Sequence, residues 1–273
     1  MIKKRDLYSY IGTKDEQIAY LVGAIMGDGC YSTADICTRP RFSFASSDED
    51  FALLIQQLVR ELFDVNMNIC HCELSKKNPN WRDCYKMASR ILYKNLSLYL
   101  PDHKVLPEFI IVGNLKIKAA FISGFFDAEG GVSISWIKSR KAVDRRIYCH
   151  NNELSILKII QNYLNDIDIK SFIIADQNCY ALNIWGFSSC TIFRRDIGFK
   201  IERKKDKLNK LIGSYKSIHI RGNEVIYNMV INLANDTNDN IKEIKQKLLD
   251  QGITLSNQTI EKWISKEDDK NER

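Results

Sequence analysis

The stretch that decides the fold is AYLVGAIMGDGC, residues 19–30, and a second stretch, AAFISGFFDAEGGV, residues 119–132, repeats its arrangement. Each begins with the spacing of an apolar helix and ends in small residues around one acid, Asp28 in the first stretch and Glu129 in the second. One acid beside a glycine is common at a turn. Two acids at matching places indicate a shared function instead.

Composition limits the class of protein. The chain has 273 residues, enough for two domains, with 45% hydrophobic and 27% charged residues, as in a soluble globular protein. No apolar run approaches the roughly 18–20 residues of a membrane span, and the charged start resembles no secretory signal. We therefore expect an intracellular protein without a membrane partner. The net charge of +6 is modest, but basic residues concentrate at 138–146 and 202–207, which suits an anionic polymer as well as a solvated surface.

The sequence also predicts a duplicated architecture. The order helix, two strands, helix, two strands, helix occurs twice, at a period of about 100 residues. This indicates an α+β fold with two pseudo-symmetric αββαββα repeats, over 1–106 and 107–207, and a helical tail over 208–273. Each repeat would form a four-stranded antiparallel sheet with helices on one face and the other face open to a partner.

Small residues in the two stretches predict how the repeats meet. Gly23 and Gly27 lie four residues apart, as do Gly124 and Ala128, so each pair occupies one helix face. Helices with such faces can approach closely, which would bring Asp28 and Glu129 together at the ends of the helix pair. The two carboxylates repel each other, and the negative helix ends add to the repulsion. A divalent cation with hard oxygen ligands, such as Mg²⁺, would neutralise them.

Residues 21–29 and 122–130 resemble the two copies of the LAGLIDADG motif in homing endonucleases. The second copy retains Gly124, Asp127, Ala128, Glu129 and Gly130, whereas the first has Met26 where the motif has an acid. The resemblance extends over residues 15–205 in element order and length.

The resemblance implies a monomeric, double-motif endonuclease whose two sheets form a saddle over the major groove of double-stranded DNA. Asp28 and Glu129 would be the catalytic metal ligands, with Gly27 and Ala128 beside them, and Mg²⁺, or Mn²⁺ as a substitute, would be the cofactor. One phosphodiester would be hydrolysed on each strand of a long, non-palindromic target, leaving short 3′ overhangs. The protein would act in the compartment that holds the host genome.

A basic residue near each metal site is common in this family. The expected positions hold Ser46 and Ser47 in the first repeat, and His150 with its neighbours in the second. Lys86, in the fourth strand of the first repeat, is a candidate substitute with a catalytic role.

Target specificity would come from polar strand residues that contact base edges. A shift of one residue in strand phase would turn the whole set to the opposite face. The candidates are Tyr31, Thr33, Arg39, Arg41, Ser43, Ser133, Ser135, Lys138, Arg140, Lys141, Arg145 and Tyr148.

The tail contains two short amphipathic helices joined near Gly252, which resembles a helix-turn-helix. Its second helix would carry Asn257, Gln258, Thr259 and Lys262. Two such helices also often pack on a domain without binding anything. The sequence therefore leaves open whether the tail contacts DNA or only packs on the rest of the protein.

Other functions remain on the same fold. An RNA maturase for intron splicing would need the basic surface but not the acids, and a DNA-binding regulator would need no cleavage. An intein is disfavoured because the chain begins with Met1 and ends in KNER.

Overall fold

The computed structural model describes residues 12–32, 41–72, 84–100, 102, 105–137, 142–176, 178–215, 224–237, 240–250, 253 and 255–271. Within them, the first repeat has the elements α1 (Lys14–Asp28), β1 (Gly29–Ser32), β2 (Arg41–Ser46), α2 (Glu49–Phe63), β3 (Cys70–Cys72), β4 (Cys84–Ser89) and α3 (Arg90–Leu96). A short helix, α4 (Glu108–Ile111), leads to the second repeat.

The second repeat has the same order of elements. These are α5 (Leu115–Glu129), β5 (Gly130–Ile137), β6 (Ala142–Asn151), α6 (Leu154–Asp166), β7 (Ser171–Asp176), β8 (Cys179–Trp185) and α7 (Phe187–Asp196). Four helices follow: α8 (Glu202–Gly213), α9 (Glu224–Thr237), α10 (Ile241–Asp250) and α11 (Asn257–Asn271). The predicted α+β fold with a helical tail is confirmed, and α8 crosses residue 207, where we expected the second repeat to end.

Both sheets are antiparallel and have the same strand order, β1-β2-β4-β3 and β5-β6-β8-β7. In β2, Phe42 and Phe44 are buried while Arg41 is exposed, so alternate residues face the helices and the open side. The ring of Phe44 meets that of Phe51 on α2 at 5.3 Å. We call the side of each sheet that faces away from the helices the open face. It carries Arg41, Ser43, Ala45 and Lys86 in the first sheet, and Ser133, Ser135, Arg146 and Tyr148 in the second.

The helices α1 and α5 form the centre of the molecule. The side chain of Thr13 accepts a hydrogen bond from the backbone N–H of Glu16 at the start of α1, and Asn114 caps α5 in the same way. From Ile18 to Met26, every residue of α1 is buried. A helix buried on all sides must pack against both its own sheet and a partner helix, and that partner is α5. No helix in the described part of the chain is long and apolar enough to cross a bilayer.

Candidate active site

The contact between α1 and α5 requires small residues. A Cβ atom built on Gly23 would lie 2.1 Å from the carbonyl oxygen of Phe121, and one on Gly124 would lie 2.1 Å from that of Tyr20. Both distances are far shorter than real carbon–oxygen contacts. The two backbones can therefore approach this closely only while these positions are glycine.

The same packing brings together the ends of the two helices. A Cβ atom on Gly27 would lie 2.4 Å from Cβ of Ala128 and 2.9 Å from Cγ of Glu129. Burial raises the pKa of the Asp28 carboxyl to about 6. Burial, followed by the nearby charge of Asp28, raises the pKa of Glu129 to about 7. The site thus holds two half-buried acids whose negative charges are not fully compensated.

Lys204, on α8, supplies a positive charge at this place. Its side chain is 5% exposed, and its Nζ donates hydrogen bonds to the carbonyl oxygens of Phe126, Asp127 and Ala128. These carbonyls belong to the last turn of α5, where backbone oxygens lack helical partners and the helix dipole is negative. The lysine therefore caps α5 and lowers the pKa of both Asp28 and Glu129, against the larger effect of burial.

Asp127 holds the segment that precedes Lys204. Its buried carboxylate accepts a 2.7 Å hydrogen bond from the Tyr20 hydroxyl and bonds from the backbone N–H groups of Lys200 (2.8 Å) and Ile201 (3.4 Å). Burial raises the pKa of Asp127 to about 6, although these hydrogen bonds act in the opposite direction. Asp127 occupies the motif position that Met26 occupies in the first repeat. In the second repeat this acid joins the helix pair to the segment at the start of α8.

Two further contacts fix α8 to the first repeat. The guanidinium of Arg203 binds both carboxylate oxygens of Asp48, each at 2.7 Å, and holds the pKa of that carboxyl below its usual range. The backbone N–H of Glu202 donates to Asp50 at 2.9 Å. Residues that follow the second repeat therefore complete the site beside the first.

The two acids border different cavities. Asp28 lines a cavity of about 380 Å³ together with Asp48, Arg203, Lys204 and Lys207. Glu129 lines a cavity of about 410 Å³ together with Met26, His150, Asn151 and Asn152. The first cavity is rich in cations, whereas the described lining of the second contains His150 but no lysine or arginine.

The donor set fits a divalent cation of the Mg²⁺ type. No group of three or more His, Cys, Asp or Glu side chains that could hold a metal ion occurs in the described residues. Mg²⁺ is usually bound by one or two carboxylates, with water and substrate phosphates completing its coordination. Two adjacent carboxylates with raised pKa values match that pattern.

On the first sheet, Arg41 and Ser43 lie on the open face as the DNA-contact prediction requires. Tyr31 is paired in register with Phe42, and its side chain lies outside the described residues. Thr33, Arg39, Lys138, Arg140 and Lys141 also lie outside them. Lys86 lies on the open face of the first sheet, paired in register with Ala45 and Cys70. The lysine that contacts the backbone carbonyls beside Glu129 is Lys204.

On the second sheet, Ser133, Ser135 and Tyr148 share the open face, but Arg145 does not. Arg145 lies two residues before buried Ile147, so its side chain is on the same face of β6 as Ile147. Its guanidinium donates hydrogen bonds to the hydroxyl and the carbonyl oxygen of Ser214, at 2.7 and 3.0 Å, and lies 4.8 Å from the centre of the Tyr215 ring. The inclusion of Arg145 among the groove-facing residues is therefore wrong, because Arg145 and Tyr148 lie on opposite faces of β6. The open-face arginine is its neighbour Arg146.

Sequence reasoning also missed Lys204, although a pattern for it exists. Lys204, Leu208, Leu211 and Ile212 recur at helical spacing, and all four are buried. This periodicity places Lys204 on the inner face of α8. The concentration of basic residues at 202–207 by itself predicts only a basic surface.

Comparison with known proteins agrees with the fold and the motif. The family model described as a LAGLIDADG-like domain matches residues 116–198. The solved N-terminal LAGLIDADG domain of DUF199/WhiA is similar in fold, with a TM-score of 0.51 and 20% identity over 75% of this chain and 91% of that one. The described residues therefore have the fold of that solved LAGLIDADG domain.

Two sequence relatives extend this result. The homing endonuclease I-ApeI of Aeropyrum pernix is 29% identical over 39% of this chain and 46% of its own length. A probable translation initiation factor IF-2 of Methanocaldococcus jannaschii is 24% identical over 71% of this chain, but the match spans only 16% of that protein. Residues 116–198 are thus similar to a LAGLIDADG-like domain, and part of the chain is similar to a homing endonuclease.

Proposed function

We propose that the protein is a site-specific DNA endonuclease that cuts both strands of a long, non-palindromic target in a reaction that depends on a divalent metal. The observation that carries the proposal is the meeting of Asp28 and Glu129 at the ends of α1 and α5, with raised pKa values and with Lys204 beside them. Two half-buried acids with uncompensated negative charge do not stabilise the fold by themselves. They are suited to holding a cation.

Each residue has a definite role in this proposal. Asp28 and Glu129 would hold the metal, with the backbone of Gly27 and Ala128 beside them, and a bound divalent metal would supply water activation and charge neutralisation at the phosphate. Lys204 keeps a fixed positive charge where negative charge develops during the reaction, and the cost of orienting it is met during folding. Arg203 holds α8 in place through Asp48.

The open faces of the two sheets would bind the DNA. Arg41, Ser43, Ser133, Ser135, Arg146 and Tyr148 offer donors and acceptors for base edges and phosphates. Because one chain carries both repeats, a monomer presents both halves of the site. The two repeats have different sequences, so the target would be non-palindromic, and the protein would act in the compartment that holds this DNA.

The similarity to I-ApeI supports an endonuclease. In this proposal, cleavage depends on the carboxylates of Asp28 and Glu129. A direct test incubates the protein with Mg²⁺ and a pool of DNA duplexes that contain candidate insertion sites, followed by sequencing of the cut ends. Asp28→Asn and Glu129→Gln should abolish cutting, while Asp64→Asn and Glu61→Gln, which change exposed acids on and after α2, should cut like the wild type.

The outcomes are distinct. Cutting at one site with short 3′ overhangs, lost in both motif variants, supports the endonuclease. Cutting that survives both substitutions shows that the site lies elsewhere. Specific binding without any cutting favours the DNA-binding regulator, and binding only to structured intron RNA favours the maturase.

A further inference from the structure

The last three helices form a unit of their own. Both α10 and α11 pack on α9, and the ring of Tyr227 on α9 meets that of Trp263 on α11 at 5.5 Å. Seven apolar side chains, each at most 3% exposed, line their contacts: Ile226, Val230, Ile244, Leu248, Ile253, Leu255 and Ile260. Apart from Leu249, which is exposed, the large apolar side chains described on α10 and α11 are thus buried or partly buried in this unit, and the polar faces of both helices remain available for another role.

The unit is attached to the second repeat through α9 and the segment before α11. Ile226, Met229 and Ile253 border a small cavity together with Thr191 and Ile192 of α7. The docked side is therefore the side that carries α9. This arrangement leaves the first turns of α11 at the surface.

The start of α11 is a capped, polar surface. The hydroxyl of Ser256 accepts a 3.1 Å hydrogen bond from the backbone N–H of Thr259, which caps the helix. Ile260 is fully buried, whereas Asn257, Gln258 and Lys262 are exposed. Residues 258 and 262 are separated by four positions, so their side chains lie on one helical face.

Lysines of α10 flank this surface. Nζ of Lys245 donates to Oδ1 of Asn257 at 3.1 Å, and Lys242 is exposed one turn earlier on α10. The backbone N–H of Ile253 bonds the carbonyl oxygen of Leu248 at 2.7 Å and turns the chain after α10.

We propose that α10 and α11 form a second DNA-binding element, with α11 in the major groove and the lysines of α10 at the phosphates. An α-helix with its side chains is about 10–12 Å wide and fits a major groove of about 12 Å. Asn and Gln side chains can bond both edge atoms of adenine, and Lys can bond guanine. In helix-turn-helix proteins, the N-terminal residues of the second helix contact bases in this way. This element extends the proposed function and does not need cleavage.

The test selects bound duplexes from a random-sequence pool with the full chain, in parallel for the wild type and the triple variant Asn257→Ala, Gln258→Ala, Lys262→Ala. Duplexes selected by the wild type should contain two separate blocks of defined bases. The triple variant should retain the block read by the sheets, lose the other block, and bind wild-type sites about tenfold or more weakly. Lys158→Ala removes one exposed lysine from α6 and should retain both blocks.

The results separate this inference from the proposed function. A single block that all three proteins select overturns the second element, as does a second block that the triple variant retains. If the triple variant loses the only block that the wild type selects, the result supports DNA binding by α10 and α11 and refutes base recognition by the sheets. Because the three substituted side chains are exposed, the variant should melt with the wild type in circular dichroism, and the single variant Gln258→Ala should weaken only the tail block.

Discussion

At the scale of single residues, the site is held in an electrostatically costly state. Burial raises the pKa values of both Asp28 and Glu129, with smaller increases from the charge of Asp48 at Asp28 and of Asp28 at Glu129, and Lys204 offsets only part of these effects. A carboxyl whose pKa is higher in the folded than in the unfolded protein destabilises the fold as the pH rises through that interval. For Glu129 the interval runs from its ordinary value of 4.5 to about 7.

Removing either charge should therefore stabilise the metal-free protein at alkaline pH. Glu129→Gln and Asp28→Asn should melt about 2–4 °C higher than the wild type at pH 8, with the difference disappearing near pH 4.5. Thermal melts without metal measure this. Adding Mg²⁺ at pH 8 should raise the melting temperature of the wild type but not of the variants, because ligands stabilise the state that binds them. Equal melting temperatures at both pH values would contradict the shifted titration.

Lys204 offers a second test at this scale. Lys204→Met keeps most of the side chain's length but removes the charge and its bonds to α5. We expect kcat for DNA cleavage to fall about 10²-fold or more, because a fixed positive charge near the developing negative charge is lost, while DNA affinity changes little. The control is Lys210→Met, which removes an exposed lysine of the same helix. Unchanged cleavage by Lys204→Met would remove this lysine from the reaction.

At the scale of elements, the pair α1 and α5 depends on glycine for its separation. A methyl group at Gly124 would overlap the carbonyl of Tyr20, and α1 could avoid it only by moving away. Such a movement would also separate Asp28 from Glu129. The stability of the pair and the geometry of the site are therefore determined by the same contact.

Gly124→Ala should destabilise the protein by about 1–3 kcal/mol or more through overpacking, and should weaken Mg²⁺ binding as well. Gly213→Ala is the matched control, since nothing lies within 4 Å of a Cβ atom at that last position of α8, and alanine favours the helix. Urea unfolding and a metal titration measure the two effects. Similar behaviour of the two variants would show that the close approach is not required.

At the scale of the whole molecule, the two halves are equal in fold but unequal in chemistry. The strand orders match, yet α8 brings Arg203, Lys204 and Lys207 to the cavity of Asp28, and the cavity of Glu129 has His150. The inequality arises because α8 follows the second repeat, whereas the described residues contain no equivalent helix after the first repeat. A chain with two repeats thus contains one copy of the segment that carries the cations.

This inequality predicts ordered cleavage. The DNA strand at the cation-rich cavity should be cut first, so a nicked duplex should accumulate before the double-strand break. A time course with each strand carrying a different label measures the two rates. The Lys204→Met variant should reduce the difference between them. Equal rates in the wild type would mean that the cavities act alike despite their linings.

Much of this structure follows from local patterns in the sequence. The repeated order of helices and strands, the cap at Thr13 and the four-residue spacing of Gly23 and Gly27 depend on neighbours in the chain, which periodicity records directly. The pairing of α1 with α5 was predictable because the motif occurs twice. The acids at the motif ends were found for the same reason.

The sequence by itself therefore determined the two repeats, the close helix pair and the acids Asp28 and Glu129. Only the tertiary structure decided which lysine joins them, since Lys204 meets the end of α5 from 77 residues away, across a contact that no local spacing encodes. It also decided the phase of β6, because Ile147 and Cys149 are buried and so turn Arg146, rather than Arg145, to the open face. Periodicity shows how a segment folds, but the position of its faces depends on the elements packed against it.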